Sequence, residues 1–291
     1  MDQLSEFKSR LYNYQSILKF CYVGDAGAAA WNKMRGDKSF QVGSREISVL
    51  ERLLIVAMDL SKNSPINVLH IGPGNGIEVP HILKYLNATR GDQYNAIDIS
   101  ESMLSDLKLK MNDSFNACNI KYSTHLLDVE RDVDLIKFAA NCPTNYKNVY
   151  IATGEGTLLA SGVVPVNLRK VMRPGDLALF NLDSIGTDSE KICAEYDQSS
   201  FREFITGSLR YAKNIGLIKD LAGKFHPTEY DHKTSRVSCR YYLEEIKSDV
   251  LLLETLKPNS LEKAEMFFKQ LGHQVAYATQ YDNAAFGIVC K

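Results

Sequence analysis

Asn67-Val-Leu-His-Ile-Gly-Pro-Gly-Asn-Gly76 is the stretch that decides the fold. Val68 to Gly72 read as a buried strand running into a glycine turn. Ile77, Ile82, Leu83 and Leu86 then recur at a spacing that suits a helix packed on a sheet. Strand, glycine turn and helix open an α/β sheet that binds phosphates or nucleotides, because glycine lets a ligand approach the backbone closely. The glycines stand at 72, 74 and 76, a Gly-x-Gly-x-Gly pattern that departs from the Gly-x-Gly-x-x-Gly of dinucleotide binders. Alone, the turn leaves two readings open: a Rossmann-like domain without a nucleotide, and a nicotinamide enzyme with an unusual turn. About twenty residues on, Tyr94-Asn-Ala-Ile-Asp-Ile-Ser-Glu-Ser-Met-Leu104 supplies a second short strand ending in Asp98. An acid there is placed to accept hydrogen bonds from both hydroxyls of a ribose.

The chain before this motif reads as helical. Phe7, Leu11, Tyr14 and Leu18 form one apolar face, glycines 24 and 27 interrupt the pattern, and a small-residue helix leads to Trp31, the only tryptophan. Trp31 reads as a core anchor. A second amphipathic helix, 44–60, precedes the linker Ser61-Lys-Asn-Ser-Pro65. Beyond Asp98 come a helix over 101–112 and the strand Tyr122-Ser-Thr-His-Leu-Leu-Asp128 with its trailing acid. The strand Asn148 to Thr153 follows, with Gly154-Glu-Gly-Thr157 as its exit loop. In open parallel sheets such loops, beyond the carboxyl ends of strands, face the ligand. A helix over 163–171 and the turn Arg173-Pro-Gly-Asp176 lead to the strand Leu177 to Leu182. After a long insertion, Val237, Cys239, Tyr241 and Leu243 alternate as a strand, and Leu251 to Leu256 continue the sheet pattern. Residues 259–271 read as a helix. Gly272 to Tyr277 and Phe286 to Cys290 then form an antiparallel hairpin around Asp282-Asn283.

Lys plus Arg is 34 and Asp plus Glu is 35, so the net charge of -1 advertises no polyanionic partner, and no nucleic acid is expected. No apolar run reaches the length of a membrane span, and the first residues lack the basic-then-apolar pattern of a signal peptide. Six cysteines without a Cys-x-x-Cys pair point to reduced thiols in a reducing, cytoplasmic compartment. No metal site is expected: His226 and His232, beside Glu229 and Asp231, read as polar loop residues ahead of a metal cluster.

The two quoted motifs resemble motifs I and II of class I S-adenosylmethionine (SAM) methyltransferases. The resemblance implies a Rossmann-like α/β sheet of parallel strands with a reversed last strand, preceded by helices and carrying an inserted α+β lid. It implies SAM as cofactor, S-adenosylhomocysteine as product, and Gly72, Pro73, Gly74, Gly76, Asp98, Ile99, Asp128 and Gly154 as cofactor-binding residues. Asp128 would accept from the adenine amino group; as a bare sequence position it also reads as a cap for the helix near 131–140. The loop after Thr153 lacks the Asn/Asp-Pro-Pro-Tyr/Phe tetrad of amino-directed nucleic-acid methyltransferases.

More closely, the whole chain resembles the histidine-specific methyltransferase family, which makes trimethylated histidine on the way to ergothioneine. The landmarks are Lys19 to Trp31, the motif pair, Pro174-Gly-Asp-Leu-Ala-Leu-Phe180, Tyr196-Asp197, Phe225 to Tyr230, Arg236 to Tyr242 and Glu254 to Lys263. The chain also departs from that family. Gly154 to Ala160 contains no asparagine to hold an amino-acid backbone, and Glu78 stands where relatives carry a basic residue. Glu254-Thr-Leu-Lys-Pro-Asn-Ser260 replaces the imidazole-recognition motif.

Tyr22 matches a family pocket tyrosine. With Glu155, Thr157, Phe201 and Tyr230 it makes the expected acceptor site, while no catalytic residue is assigned. The domain reading is 1–60 a helical cap, 61–182 the SAM-binding core, 183–247 an inserted substrate lid and 248–291 a return to the core sheet. The function expected is methyl transfer to a small molecule, at the amino nitrogen of an amino acid or related metabolite. Alternatives are a macromolecular methyltransferase, an aminocarboxypropyl transferase using SAM, and an inactive SAM-binding scaffold.

Overall fold

The computed structural model describes residues 3–23, 25–36, 42–61, 64–153, 160–184, 188–281 and 285–291. Within them run, in chain order, the strands β1 (Ile66–Ile71), β2 (Gln93–Asp98), β3 (Lys121–Leu126), β4 (Lys147–Ala152) and β5 (Leu177–Asp183). They are followed by β6 (Gly223–Phe225), β7 (Glu229–Asp231), β8 (Arg236–Leu243), β9 (Ser248–Leu256), β10 (Val275–Tyr281) and β11 (Ala285–Cys290). The chain divides into two compact units, Met1–Gln41 with Thr187–Lys257, and Val42–Gly186 with Pro258–Lys291. The helix Val42–Leu60 and β9 show where this division falls. The first, read from sequence as part of the cap, lies in the sheet unit; the second, read as part of the return to the core, lies in the other.

The larger unit is built on a seven-stranded sheet of order β10-β11-β5-β4-β1-β2-β3. β11 runs antiparallel to both neighbours and the other pairings are parallel, which is the expected Rossmann-like sheet with a reversed last strand. β1, β5 and β11 are buried along their whole length, so they read as near-continuous apolar runs. The strand order reverses between β1 and β4, which opens a crevice at their carboxyl ends. Ile71 pairs with both Ile97 and Ala152, and Asp98 with Leu126, so the carboxyl ends of four strands finish level.

Two helices of this unit differ from the sequence reading. The helix after Asp98 runs Glu101–Cys118, beyond the expected 112, because Phe115 is buried and stacks on Tyr122 at 4.3 Å. Asn119 then ends it in a left-handed conformation. The helix after the glycine turn is only Val79–Leu83, and Ile77, expected on its apolar face, is 44% exposed.

A row of amides crosses this sheet. Ser123 Oγ and Asn95 Nδ2 donate to Asn95 Oδ1 and Asn67 Oδ1 respectively (both 2.6 Å); Asn67 Nδ2 donates to Asn148 Oδ1 (3.0 Å), and Asn148 Nδ2 to Asp176 Oδ2 (3.1 Å). Asn67→Ala therefore leaves the buried Asn148 Oδ1 without its donor and leaves Asn95 Nδ2 only its longer bond to Val68 O (3.4 Å). A loss of about 2 kcal/mol in unfolding free energy is expected by denaturant titration.

The smaller unit combines helices Gln3–Tyr12, Asp25–Arg35, Ser189–Tyr196, Ser199–Ile205 and Gly207–Asn214 with an antiparallel sheet in which β8 pairs with β6, β7 and β9. The first helix stops at Tyr12, short of the expected Leu18. Tyr14 takes a left-handed φ of 52°, and Ile17 donates its N–H to Leu251 O (3.2 Å). Phe7 and Phe20 meet edge to face at 4.7 Å, and Phe20 stacks on Tyr211, so distant segments share one apolar cluster.

Candidate active site

The glycine turn leaves β1 with Gly72, Gly74 and Gly76 at φ of 63°, 54° and 78°. Three left-handed residues in five are accessible to glycine and costly for other side chains, which is why the spacing reads as it does. Gly72 N–H donates to Ile97 O (2.8 Å), which carries the β1–β2 ladder into the turn. Asp98 stands beside it at the end of β2, buried at 8% exposure. Its carboxylate accepts the N–H of Ser100 (2.9 Å) and is also held by the N–H groups of Gly74 and Ile99. The acid of the second motif is thus bonded to the turn of the first. Burial pushes its pKa up to about 6, against the pull of those N–H donors.

His70 was not among the residues expected at the site, although a histidine inside a fully buried strand was the available signal. Its Nδ1 lies 2.8 Å from the Tyr94 hydroxyl and its Nε2 3.2 Å from the Thr153 hydroxyl. Burial pushes its pKa down to about 3, so the ring is neutral and has one N–H and one lone pair to offer the two hydroxyls. The motif strand is thereby linked to β2 and to the residue that leaves β4.

Pro73 is buried in the turn and Ile99 is half-buried next to Asp98. Asp128 lies two residues beyond β3, half-buried, where Leu127 N–H continues the ladder to Asp98 O (2.9 Å). Its Oδ1 accepts Glu130 N–H in a local turn, and Arg131 takes the N-cap position of the next helix. Glycines 72, 74 and 76, Pro73, Asp98, Ile99 and Asp128 therefore share the carboxyl edge of the sheet. Gly154, Glu155 and Thr157 lie outside the described residues.

Tyr22, Phe201 and Tyr230 belong to the smaller unit, and a line of contacts joins them. Tyr22 and Phe201 meet Phe204 at 5.4 and 6.3 Å between centroids; Phe201 meets Tyr196 at 4.9 Å. The Lys257 ammonium lies 5.6 Å from the Tyr196 ring centroid, and Tyr230 donates its hydroxyl to Lys257 O (3.1 Å). Trp31 packs on both Tyr22 and Phe204.

Other polar groups are committed elsewhere. His226 faces Asp249 at 2.8 Å, and among the described residues no three His, Cys, Asp or Glu side chains are placed to hold a metal. A surface depression lined in part by Lys147, Arg173 and Asp176 lies at the amino end of β4 and β5, the opposite edge. There Lys147 Nζ donates to Leu60 O (2.8 Å) and Arg173 to Pro143 O and Tyr146 O (both 3.2 Å). All six cysteines are free, and burial pushes Cys21, Cys239 and Cys290 up to about 12, which makes them poor nucleophiles. Among the described residues no helix is long and apolar enough to cross a membrane.

A sheet of this order, with a glycine turn bonded to a buried acid at its switch point, defines a Rossmann-like nucleotide-binding protein. The sequence matches the family described as "Histidine-specific methyltransferase, SAM-dependent" over residues 9–252, and the chain belongs to that family. It is a SAM-dependent methyltransferase.

Similar solved structures include the CurJ carbon methyltransferase (17% identity, 100% of this chain and 71% of that one, TM-score 0.49). Two others are the CcbJ methyltransferase from Streptomyces caelestis (12%, 84% and 88%, 0.46) and magnesium protoporphyrin IX methyltransferase from Synechocystis PCC 6803 (11%, 91% and 94%, 0.46). No curated protein sequence matches the chain.

The residues at the carboxyl edge fit SAM. Positive-φ glycines leave the turn without side chains, Asp98 offers a carboxylate, and Ile99 an apolar neighbour.

Proposed function

We propose that this chain methylates the amino nitrogen of an amino acid or a related small metabolite, in the reducing setting of the cytoplasm. The observation that carries this reading is the family match, which spans residues of both units. In this reading the larger unit binds the donor, with Gly72, Gly74 and Gly76 beside its amino-acid part, Asp98 at the ribose and Asp128 at the adenine. The residues this reading assigns to the acceptor are Tyr22, Glu155, Thr157, Phe201 and Tyr230.

Histidine itself is not assigned. The run Gly154 to Ala160 has no asparagine, and Glu78, buried at 6% exposure, stands in place of a basic residue. When bound, SAM supplies an electrophilic methyl group. The protein's part is to position a neutral amine, since a protonated one has no lone pair to attack.

The test is incubation of the protein with SAM and each of the common amino acids, with products read by mass. Addition of one to three methyl masses to any of them supports the reading. A product heavier by an aminocarboxypropyl group overturns it, and so does no product from protein that binds SAM.

A further inference from the structure

His70 is the buried group of the larger unit that sheet packing accounts for least. It lies in β1, whose six residues are all buried, where a parallel sheet ordinarily takes unbroken apolar side chains. A buried imidazole is tolerated when its nitrogens are bonded, and here both are, to the hydroxyls of Tyr94 and Thr153. The two ends of that link differ. Tyr94 lies within β2, paired with Val68 on one side and Tyr122 on the other, so the ladder already fixes it. Thr153 is the first residue beyond β4, and the pairings of β4 with β1 and β5 end one residue earlier, at Ala152. Where the ladder stops, the His70 ring holds the chain.

That place is the switch point of the sheet. His70 pairs with Ala96 and Ile151. Two residues further along each strand, on the same face by the period of a strand, come Gly72, Asp98 and Thr153. Thr153 thus stands across Gly72 from Asp98, on the rim of the crevice where the strand order reverses. Asp98 is held there by N–H groups of the glycine turn and its neighbours, and Thr153 by the histidine of the strand that leads into the turn.

We propose that His70 is a positioning residue for SAM: by holding the Thr153 hydroxyl it fixes the residue at which the chain leaves β4, on the rim of the donor site. It acts through Thr153 and not in the chemistry. This rests on SAM as the cofactor and on nothing about the acceptor.

The experiment is calorimetric titration with SAM, beside thermal melts, on the wild type and on variants that cut the link at one end or the other. Thr153→Val removes one hydroxyl with little change of shape, and Tyr94→Phe removes the other. A glutamine amide reaches about as far as the ring Nε2 and an asparagine amide about as far as Nδ1. His70→Gln therefore keeps the bond to Thr153, whereas His70→Asn keeps only the bond to Tyr94. The last variant combines His70→Asn with Thr153→Val.

Tm is expected to fall in every variant, since each leaves a buried polar atom without its partner. The Kd for SAM is expected to rise about tenfold in Thr153→Val and in His70→Asn, the scale of one hydrogen bond. It should change by no more than about twofold in Tyr94→Phe and His70→Gln, which keep Thr153 held. The double variant should lose no more affinity than either of its parents, because both cut the same bond.

Losses of affinity that follow Tm, whichever end of the link is cut, would make His70 a structural residue and overturn the proposal. Thr153→Val with wild-type affinity, or with no greater loss than Tyr94→Phe, would overturn it even if the His70 variants fail to fold. Additive losses in the double variant would give His70 an effect apart from Thr153, with the same result. Wild-type protein that binds no SAM would instead fail the cofactor reading itself, and the proposal with it.

Discussion

Asp98→Asn is expected to abolish useful SAM binding while making the free protein more stable. The carboxyl titrates at about 6 in the folded chain against an ordinary 3.8, because it is buried. A raised folded value means that its contribution to stability is complete at low pH and is lost as pH rises through about 6. At neutral pH the ionised, desolvated group thus costs about 3 kcal/mol, a cost that asparagine avoids while its single carbonyl oxygen still accepts from Ser100. Tm should rise by several degrees. Affinity should fall about a hundredfold or more, since hydrogen bonds from the two ribose hydroxyls to a charged acceptor are weakened or lost. In the wild type, affinity for SAM and S-adenosylhomocysteine should weaken as pH falls below about 6 and the carboxylate takes a proton. Calorimetric titration of both proteins on either side of that pH, with thermal melts, makes the check. Unchanged affinity in the variant would remove Asp98 from the ribose, and a lowered Tm would show that burial of its charge is not what sets its pKa. A stability gain coupled to a loss of binding is the usual sign of a residue kept for function.

The second large effect is expected at Gly287, in the middle of β11. A Cβ there would lie 2.6 Å from Val49 Cγ1 and 2.8 Å from Leu53 Cδ2, both on the helix Val42–Leu60. Both side chains are fully buried, so they have no empty space to move into. Gly287→Val should therefore cost about 3 kcal/mol or more, with the helix pushed off the sheet, and Gly287→Ala should cost less. The readout is the midpoint of urea unfolding. A valine variant that unfolds at the wild-type midpoint would show that the helix does not pack this closely.

The elements that sequence alone revealed are those set by local patterns. Val68 to Ile71, Asn148 to Ala152 and Leu177 to Leu182 announce themselves as buried strands because a parallel sheet covered on both faces demands unbroken apolar runs. Gly72, Gly74 and Gly76 mark positive φ because other residues adopt it at a cost. Asp98 stands out as the acid that ends a strand one crossover later, and the closing hairpin as two apolar runs around a turn.

What sequence could not supply is whatever depends on which distant segments meet. The helix after the glycine turn is short and Ile77 is exposed, although both fit a helical period. β9 carries an apolar run, Val250 to Leu253, like those of the core strands, yet it pairs with β8 in the second sheet, since pairing is chosen by complementary faces far apart in the chain. The link from Tyr94 through His70 to Thr153 needs three strands in one register before its atoms come within reach. The line from Tyr22 to Lys257 gathers residues more than two hundred positions apart. Sequence by itself thus determined the fold class, the glycine turn and the acid that ends β2, because local backbone geometry and burial restrict residue type directly. Only tertiary structure decided which polar groups are buried and what they touch, because burial and contact belong to the assembled chain and leave no period in it.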